Sequence, residues 1–512
     1  MKKRSKVFIL ALVGLFLFSS LTLAGQQADK GRLEKGVDIR MVKLHQHMLQ
    51  YIADKNGGNR LAGTAGHTSS AKYVAGWLKT AGYKPVIQEF DFPFFQELSD
   101  PAMDQVAPMS VMYPPNVPEG FMTMTYSGSG SATAVVQPTN DVVVPIGDNP
   151  PSFSNSGCEE SDFEGFMPGN IALVQRGTCS FAIKAQNAQD AGASAVIIFN
   201  EGQAGRVDAI RGTLGGPDFT VPVVFANYNI GREIVESIRA GNEVQITVET
   251  DTISETRKTI NVIADTPKGD DSRTVVVGAH LDSVPEGPGI NDNGSGSAAI
   301  LEVACKLGWL QIKPKYKVRF AFWSAEEEGL LGSEYYVANL SEAELAKISM
   351  NLNFDMIASP NWVRFVYDGD GSDTPDPGPP GSEAIEQLFN AYFAAKGLPT
   401  DPTALDGRSD YDSFAARNIP VGGLFTGADT IKSEEQVAKY GGTAGEPCDP
   451  AYHTADDNLN NLDYTIENQM LKAIAHAVET YSKTPLPPAP VQTLRALSVP
   501  RAKEYKGPLA IR

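Results

Sequence analysis

Positive charge is scarce in this 512-residue chain: 43 lysines and arginines face 61 aspartates and glutamates, giving a formal net charge of -18 and a pI of about 4.9. That balance excludes nucleic acid as a partner, because its phosphates demand a basic surface. Cysteine is scarcer still. Cys158, Cys179, Cys305 and Cys448 allow at most two bridges in an oxidising compartment. Cys158 and Cys179 flank an acidic, glycine-containing segment and are expected to pair, while a Cys305–Cys448 bond stays open. Neither of the latter two has a histidine partner that would make it a nucleophile. Long apolar runs are absent but for one, VFILALVGLFLF, Val7–Phe18. It follows the basic MKKRSK and gives way to small residues ending at Ala24. The run is short for a membrane span and reads as a secretory signal peptide over residues 1–24. The expectation is a secreted or periplasmic protein with no stable membrane anchor.

What the chain does contain is enough apolar material for more than one core: 42% of its residues are hydrophobic and 20% charged, and its length favours two domains. Residues 32–82 read mainly helical, in Asp38–Ile52 and Thr68–Lys79, broken at the glycine-containing NGGNR, Asn56–Arg60. From about 130 to 250 short strand-like runs appear, among them NIALVQRG and ASAVIIFN, with the helical SFAIKAQNAQDAG between them. This stretch reads as a compact module placed inside another domain. Thereafter near-continuous apolar strands alternate with helices, which predicts an α/β domain with both sheet faces covered. A closing helix is expected over Ile466–Tyr481, followed by the proline-rich PLPPAP and a short tail.

Open α/β sheets place their sites beyond the carboxyl ends of strands. Three candidate strands end there in histidine or acids: TVVVGAH leads into His280 and Asp282, VRFAFW into Glu326, Glu327 and Glu328, and ISMNLNFD ends at Asp355. The glycine-rich loop GPGINDNGSGS carries Asp292, and DPAYHT supplies His453. Each has an ordinary reading as a cap, a turn or loop surface. Yet two of only 6 histidines, set with several carboxylates at convergent strand ends, form a plausible metal constellation. His45, His47 and His67 lie in or near the amino-terminal helices without companion acids, and His476 reads as structural.

At these residues the chain resembles peptidase family M28, the zinc aminopeptidases. The matching segments are GAHLDS, GINDNGSGS, AEEEGLLGS, NFDMI, GRSDY, GGTAG and the pair Tyr452-His453, and the resemblance spans roughly residues 35–483. NIALVQRGTCSF and AGASAVIIFN are similar to a protease-associated (PA) domain. The resemblance implies an α/β fold, a mixed-sheet zinc exopeptidase (phosphorylase/hydrolase-like) α/β/α sandwich with an inserted PA domain. The implied division is a signal peptide at 1–24, peptidase segments at 35–130 and 251–483, a PA domain at 131–250, and a linker and tail at 484–512.

The resemblance also implies a division of labour around two Zn²⁺ ions. His280 and Asp355 would hold one, Glu327 and His453 the other, and Asp292 would bridge them. Glu326 would be general base and acid, facing away from Glu327 because neighbours in an extended chain diverge. Asp282 would orient His280, and Tyr452 and Arg408 would stabilise the oxyanion. Glu328 is expected to be solvated or locally structural. The implied activity is release of N-terminal residues, hydrophobic ones among them, from peptide substrates. An M28-type carboxypeptidase or other metal-dependent amidohydrolase is the alternative, and a non-catalytic ectodomain a distant third because no ligand is missing.

Overall fold

Alternation along a few short strands decides how the larger unit is built. In the strand Asp270–His280, Val275, Val277 and Ala279 join one apolar cluster and Val276 another. Tyr316–Trp323 repeats the pattern, with Val318, Phe320 and Phe322 on the first side and Ala321 and Trp323 on the second. Successive side chains of a strand point to opposite faces, so apolar residues at every position predict a sheet covered on both sides.

The computed structural model describes residues 31–484 apart from position 376, so the expected signal peptide and nearly all of the 484–512 tail lie outside the described residues. Among the described residues no helix is long and apolar enough to cross a membrane. The chain divides into two compact units, residues 91–258 and the remainder on either side. The smaller unit is thus wider at both ends than the segment 131–250 read from strand texture. A long strand, Val86–Ala107, begins before the boundary at 91 and accounts for the early start.

The larger unit's strands are the carboxyl end of β1 (Gln245–Asp265), β2 (Asp270–His280), β3 (Tyr316–Trp323), β4 (Ile348–Phe354), β5 (Phe365–Tyr367), β6 (Asp401–Thr403) and β7 (Val421–Phe425). Their order is β6-β5-β7-β4-β2-β3-β1. The central β7, β4, β2 and β3 run parallel, whereas β5 is antiparallel to β7 and β1 to β3, which makes the sheet mixed. Helices α1 (Ile39–Lys55), α2 (Ala65–Thr80), α3 (Gly294–Trp309), α4 (Ser382–Ala394) and α5 (Tyr464–Lys483) bury their apolar stripes in the first cluster. The short helices Leu331–Ala338 and Tyr411–Ala415 join the second, completing an α/β/α sandwich.

Helix α3 is central because it starts beside the site. Asn293 caps it, accepting from Gly296 N at 2.9 Å, while its amide donates to the Phe354 carbonyl at 2.9 Å. A Cβ on Gly296 would stand 2.1 Å from that carbonyl oxygen, so glycine alone lets the helix start flush against the end of β4. From there Ile300, Leu301, Val303 and Leu307 are buried against the sheet, at about 1.5–3 kcal/mol each.

In the smaller unit the parallel strands Gly130–Pro138, Ile171–Gln175, Ala195–Phe199 and Val223–Ala226 are flanked by antiparallel partners, Phe121–Thr123 at one edge and Gln245–Thr250 at the other. The helices Phe181–Asp190 and Tyr228–Arg239 enter its two separate apolar clusters. Cys158 and Cys179 form the expected disulfide, whereas Cys305 and Cys448 are free and buried, so the bond between them that the sequence left open is not formed.

Candidate metal centre

Three neighbouring parallel strands end level with one another. Trp323 of β3 stands opposite His280 of β2, and Asn353 of β4 opposite Gly278. Because β3 and β4 flank β2 on opposite sides, the chain reverses its direction of progress there, and the crevice beyond such strand ends is the natural ligand position. His280 closes β2, Glu326 and Glu327 follow β3, and Asp355 follows β4. The loop before α3 adds Asp292, and the turn at 449–454 adds His453.

These side chains converge as the resemblance implied. Nε2 of His280 lies 3.2 Å from Asp355 Oδ1 and 3.1 Å from Asp292 Oδ1. Nε2 of His453 lies 3.2 Å from Glu327 Oε2 and 3.1 Å from Asp292 Oδ2. Asp292 therefore offers one oxygen to each histidine. Glu326 stands back, with Oε2 at 3.9 Å from His280 Nε2. Two clusters of potential ligand atoms result, His280 with Asp292 and Glu327, and His280 with Glu326 and Asp355.

The donor set fits zinc. Imidazole nitrogen and carboxylate oxygen are its ligands, and donors on tetrahedral bonds of about 2.0–2.1 Å stand about 3.3 Å apart. The separations above are of that size. Moreover, His453 Nε2 and Glu327 Oε1 are buried and make no hydrogen bond of acceptable geometry among the described residues. Carboxylate oxygens gathered around an imidazole nitrogen without a well-aligned hydrogen bond among them suit a cation.

The electrostatics agree. Burial opposes protonation of His280, but Asp355 and Glu326 carry it well above the usual imidazole value. His453 is raised to about 10 against its burial by Glu327 and Asp292. Burial raises Glu326 well above the ordinary carboxyl range and Glu327 to about 7, while the two histidines hold Asp292 low against its own burial. Protonated imidazoles here supply positive charge that the carboxylates require and that metal ions would otherwise provide.

Supporting contacts differ in places from the sequence reading. Asp282 Oδ1 is 3.6 Å from His280 Nδ1, too long for a hydrogen bond, and its carboxylate accepts instead from Glu326 N and Glu327 N, both at 3.3 Å. Asp282 thus sets the Glu326–Glu327 turn. Nor is that segment extended: the Glu326 carbonyl accepts from Gly329 N and Leu330 N, and Ala325 takes a positive φ of 55°. The turn folds Glu328 inward to 8% exposure, which removes the solvated reading for it. Arg408 and Tyr452 line the same cavity as Asp292, Glu326, Glu327 and Asp355. Arg408 Nη1 donates to Asp429 at 3.0 Å and Nη2 to the Tyr452 hydroxyl at 3.5 Å, and the Tyr452 ring stacks on His453 at 3.7 Å. His45 and His67 are buried and belong to neither ligand cluster, His67 bonded to the Ile260 carbonyl, and His476 packs on Tyr392.

Several supporting residues escaped the sequence reading. Ser409 donates to Asp355 Oδ2 at 2.5 Å and accepts from Asn353 at 2.8 Å. Asp457 accepts from the backbone N–H of Asn291 and Asp292 at 2.8 and 2.9 Å, tying the Asp292 loop to the segment after His453. Ser409 lies within the matching segment GRSDY without having been given a role, and the one sequence signal for Asp457 was proximity to His453.

A mixed α/β sheet with paired histidine–carboxylate clusters at its switch point forms two candidate metal sites sharing His280, the arrangement of a co-catalytic metallopeptidase. Known proteins extend this. Peptidase family M28 matches residues 261–478 and the PA domain residues 138–234. An aminopeptidase of Pseudomonas aeruginosa (strain UCBPP-PA14) is 45% identical over 416 residues, 81% of this chain and 75% of that protein. Leucine aminopeptidase 2 of Trichophyton equinum is 37% identical over 93% of this chain and 91% of its own. Among solved structures, the aminopeptidase from Aneurinibacillus sp. strain AM-1 superposes with a TM-score of 0.63 at 26% identity, covering 90% of this chain and 98% of that one. BSAP, a zinc aminopeptidase from Bacillus subtilis, shares the fold at a TM-score of 0.55 and 24% identity, over 86% and 95% of the two chains. The chain belongs to peptidase family M28 and carries an inserted PA domain.

Proposed function

We infer that the protein is a zinc-dependent aminopeptidase that removes N-terminal residues from peptides, in which His280 and Asp355 would hold one Zn²⁺, Glu327 and His453 would hold a second, and Asp292 would serve both. The observation that carries this reading is the placing of Asp292, with one carboxylate oxygen 3.1 Å from each histidine. Two zinc ions there supply an acidified water and Lewis-acid polarisation of the scissile carbonyl. The chain's own residues do the rest. Glu326, kept basic by burial among carboxylates, takes the proton of the attacking water and returns it to the leaving amine. The Tyr452 hydroxyl, held protonated by burial beside Asp292 and Glu327, and the Arg408 guanidinium donate to the developing oxyanion. Met356, Tyr367 and Phe425 line the cavity beside these groups and suit an apolar first side chain. The basic-then-apolar start of the sequence, residues 1–24, supports export to a secreted or periplasmic location.

The test compares a peptide with a free N-terminus and its N-acetylated form, each with and without a chelator. Cleavage of the free peptide alone, lost on chelation and restored by zinc, is the expected result. Equal cleavage of both peptides would sink the aminopeptidase reading.

A further inference from the structure

The break between α1 and α2, NGGNR, holds a residue whose chemistry the site has not yet used. Arg60 is fully buried, and all three of its side-chain nitrogens donate to backbone carbonyls: Nε to Pro288 at 2.9 Å, Nη1 to Leu281, and Nη2 to Gly289 at 2.5 Å. Its own N–H donates to Ser283 Oγ at 2.9 Å, and the neighbouring Asn59 amide reaches the Pro285 carbonyl at 2.9 Å. Every one of these acceptors lies in the loop 281–289, which begins one residue after His280 and ends three before Asp292. The loop also closes tightly. Gly289 takes a positive φ of 61°, and a Cβ there would stand 2.5 Å from Ser283 Cβ and 2.3 Å from the Asp292 carbonyl.

A buried guanidinium bonded only to neutral carbonyls is costly, and something must offset it. Burial lowers its pKa to about 10, with Asp282, Asp457, Asp292 and Glu327 opposing that fall, so it stays cationic at neutral pH. Its charge works against metal binding, because zinc would arrive among the same carboxylates. Its geometry works for metal binding, because a rigid fork satisfies three carbonyls at once and fixes the loop between the two ligands. The two effects have opposite signs in zinc affinity, which makes the role measurable.

We propose that Arg60 is a positioning residue of the metal centre: it fastens the loop 281–289 so that His280 and Asp292 meet at ligand distance, and this outweighs its electrostatic opposition to the metals. The inference rests on the zinc reading above. The test measures zinc dissociation constants of the full chain by chelator competition, with metal-free melting curves alongside, for wild type, Arg60→Lys and Arg60→Met. Loss of positioning predicts zinc held roughly 10–100-fold more weakly in Arg60→Met. Arg60→Lys, which keeps the charge but not the fork, falls between Arg60→Met and wild type or matches the former. Unchanged or tighter zinc binding by Arg60→Met, whatever its melting temperature, overturns the proposal and leaves Arg60 a folding residue. Should neither variant fold, Asn59→Ala decides in the same way: weaker zinc with an unaltered metal-free melt supports the proposal, and unaltered zinc overturns it. A wild type that binds no zinc would instead overturn the zinc reading, and the proposal with it.

Discussion

Both units end their parallel strands in polar residues, yet among the described residues only one of them gathers clusters able to hold a metal ion. In the smaller unit the strand ends bring Arg176, Asn200, Glu201 and Asn227, and donors meet acceptors at all but Glu201 Oε1. Arg176 Nη1 lies 3.4 Å from Asn200 Oδ1, the Asn200 amide donates to the Asp208 carbonyl at 2.7 Å, and Arg206 donates to Glu201 Oε2 at 2.8 Å. In the larger unit three strand ends and two loops bring four carboxylates to only two imidazoles around one point, a surplus of acceptors. The difference teaches that polarity at a strand end is not a site. A surplus of buried acceptors is, since each unmatched one must find a cation, a donor or a proton.

The sharpest way to break the comparison is to remove one acceptor from the surplus without touching the ligands. Glu326→Gln keeps the volume and removes the base. We expect kcat to fall about 10²–10⁴-fold while zinc content stays at the wild-type level. Metal analysis and turnover on one preparation check both halves. Full activity would take Glu326 out of the proton transfer and leave its surplus charge without a function.

Much of this surplus was legible in the sequence because β-strands report their own ends. An apolar run that stops at His280, at Glu326 or at Asp355 marks both the strand and the level at which its next side chain emerges. Asp292 was legible for a related reason, since a glycine-rich loop before a helix needs little tertiary context. Asp457, Ser409 and Arg60 were not legible, because each acts on residues distant in the chain through backbone N–H groups, a carboxylate oxygen or carbonyls. Nothing in NGGNR distinguishes an arginine that a loop will surround from one on the surface. The Glu326–Glu328 turn misled for a similar reason: the strand before it continues in sequence texture, and only the backbone bonds from Gly329 and Leu330 reveal that the chain has curled.

A smaller effect is expected where the unmatched acceptor takes a proton. Glu467 of α5 is fully buried, receives one bond from the Gln46 amide of α1, and has a second oxygen without a partner among the described residues. Burial pushes its carboxyl from 4.5 up to about 8, against Gln46 and Lys43. A raised carboxyl favours the protonated form in the folded state. Its contribution to stability is whole below the unfolded value of 4.5 and is lost as pH rises toward about 8, at roughly 1.4 kcal/mol per unit. Glu467→Gln holds the neutral shape at every pH. Denaturant melts at pH 6 and pH 8 should show the variant gaining on wild type by up to about 2–3 kcal/mol across that interval. Parallel curves would mean that Glu467 is ionised inside the fold.

The smallest effect belongs to the smaller unit, where one oxygen of the buried carboxylate has already found its donors. Glu201 is fully buried; its Oε2 accepts from Arg206 Nη1 at 2.8 Å and from Ser152 N at 3.1 Å, its Oε1 meets no donor among the described residues, and the Arg206 side chain keeps 28% of its surface in water. Glu201→Gln preserves the acceptor for the Ser152 N–H and weakens only the charge-assisted bond. Arg206, being partly solvated, can turn to water, so the loss should stay near 1 kcal/mol rather than reach the larger cost of a stranded buried charge. Thermal melting checks the stability. Hydrolysis of a single-residue chromogenic amide should be unchanged, because every proposed ligand and proton-transfer group lies outside residues 91–258. A fall in that hydrolysis comparable to the one expected for Glu326→Gln would mean that the two sets of strand ends are coupled, and that counting surplus acceptors one sheet at a time is the wrong way to locate the site.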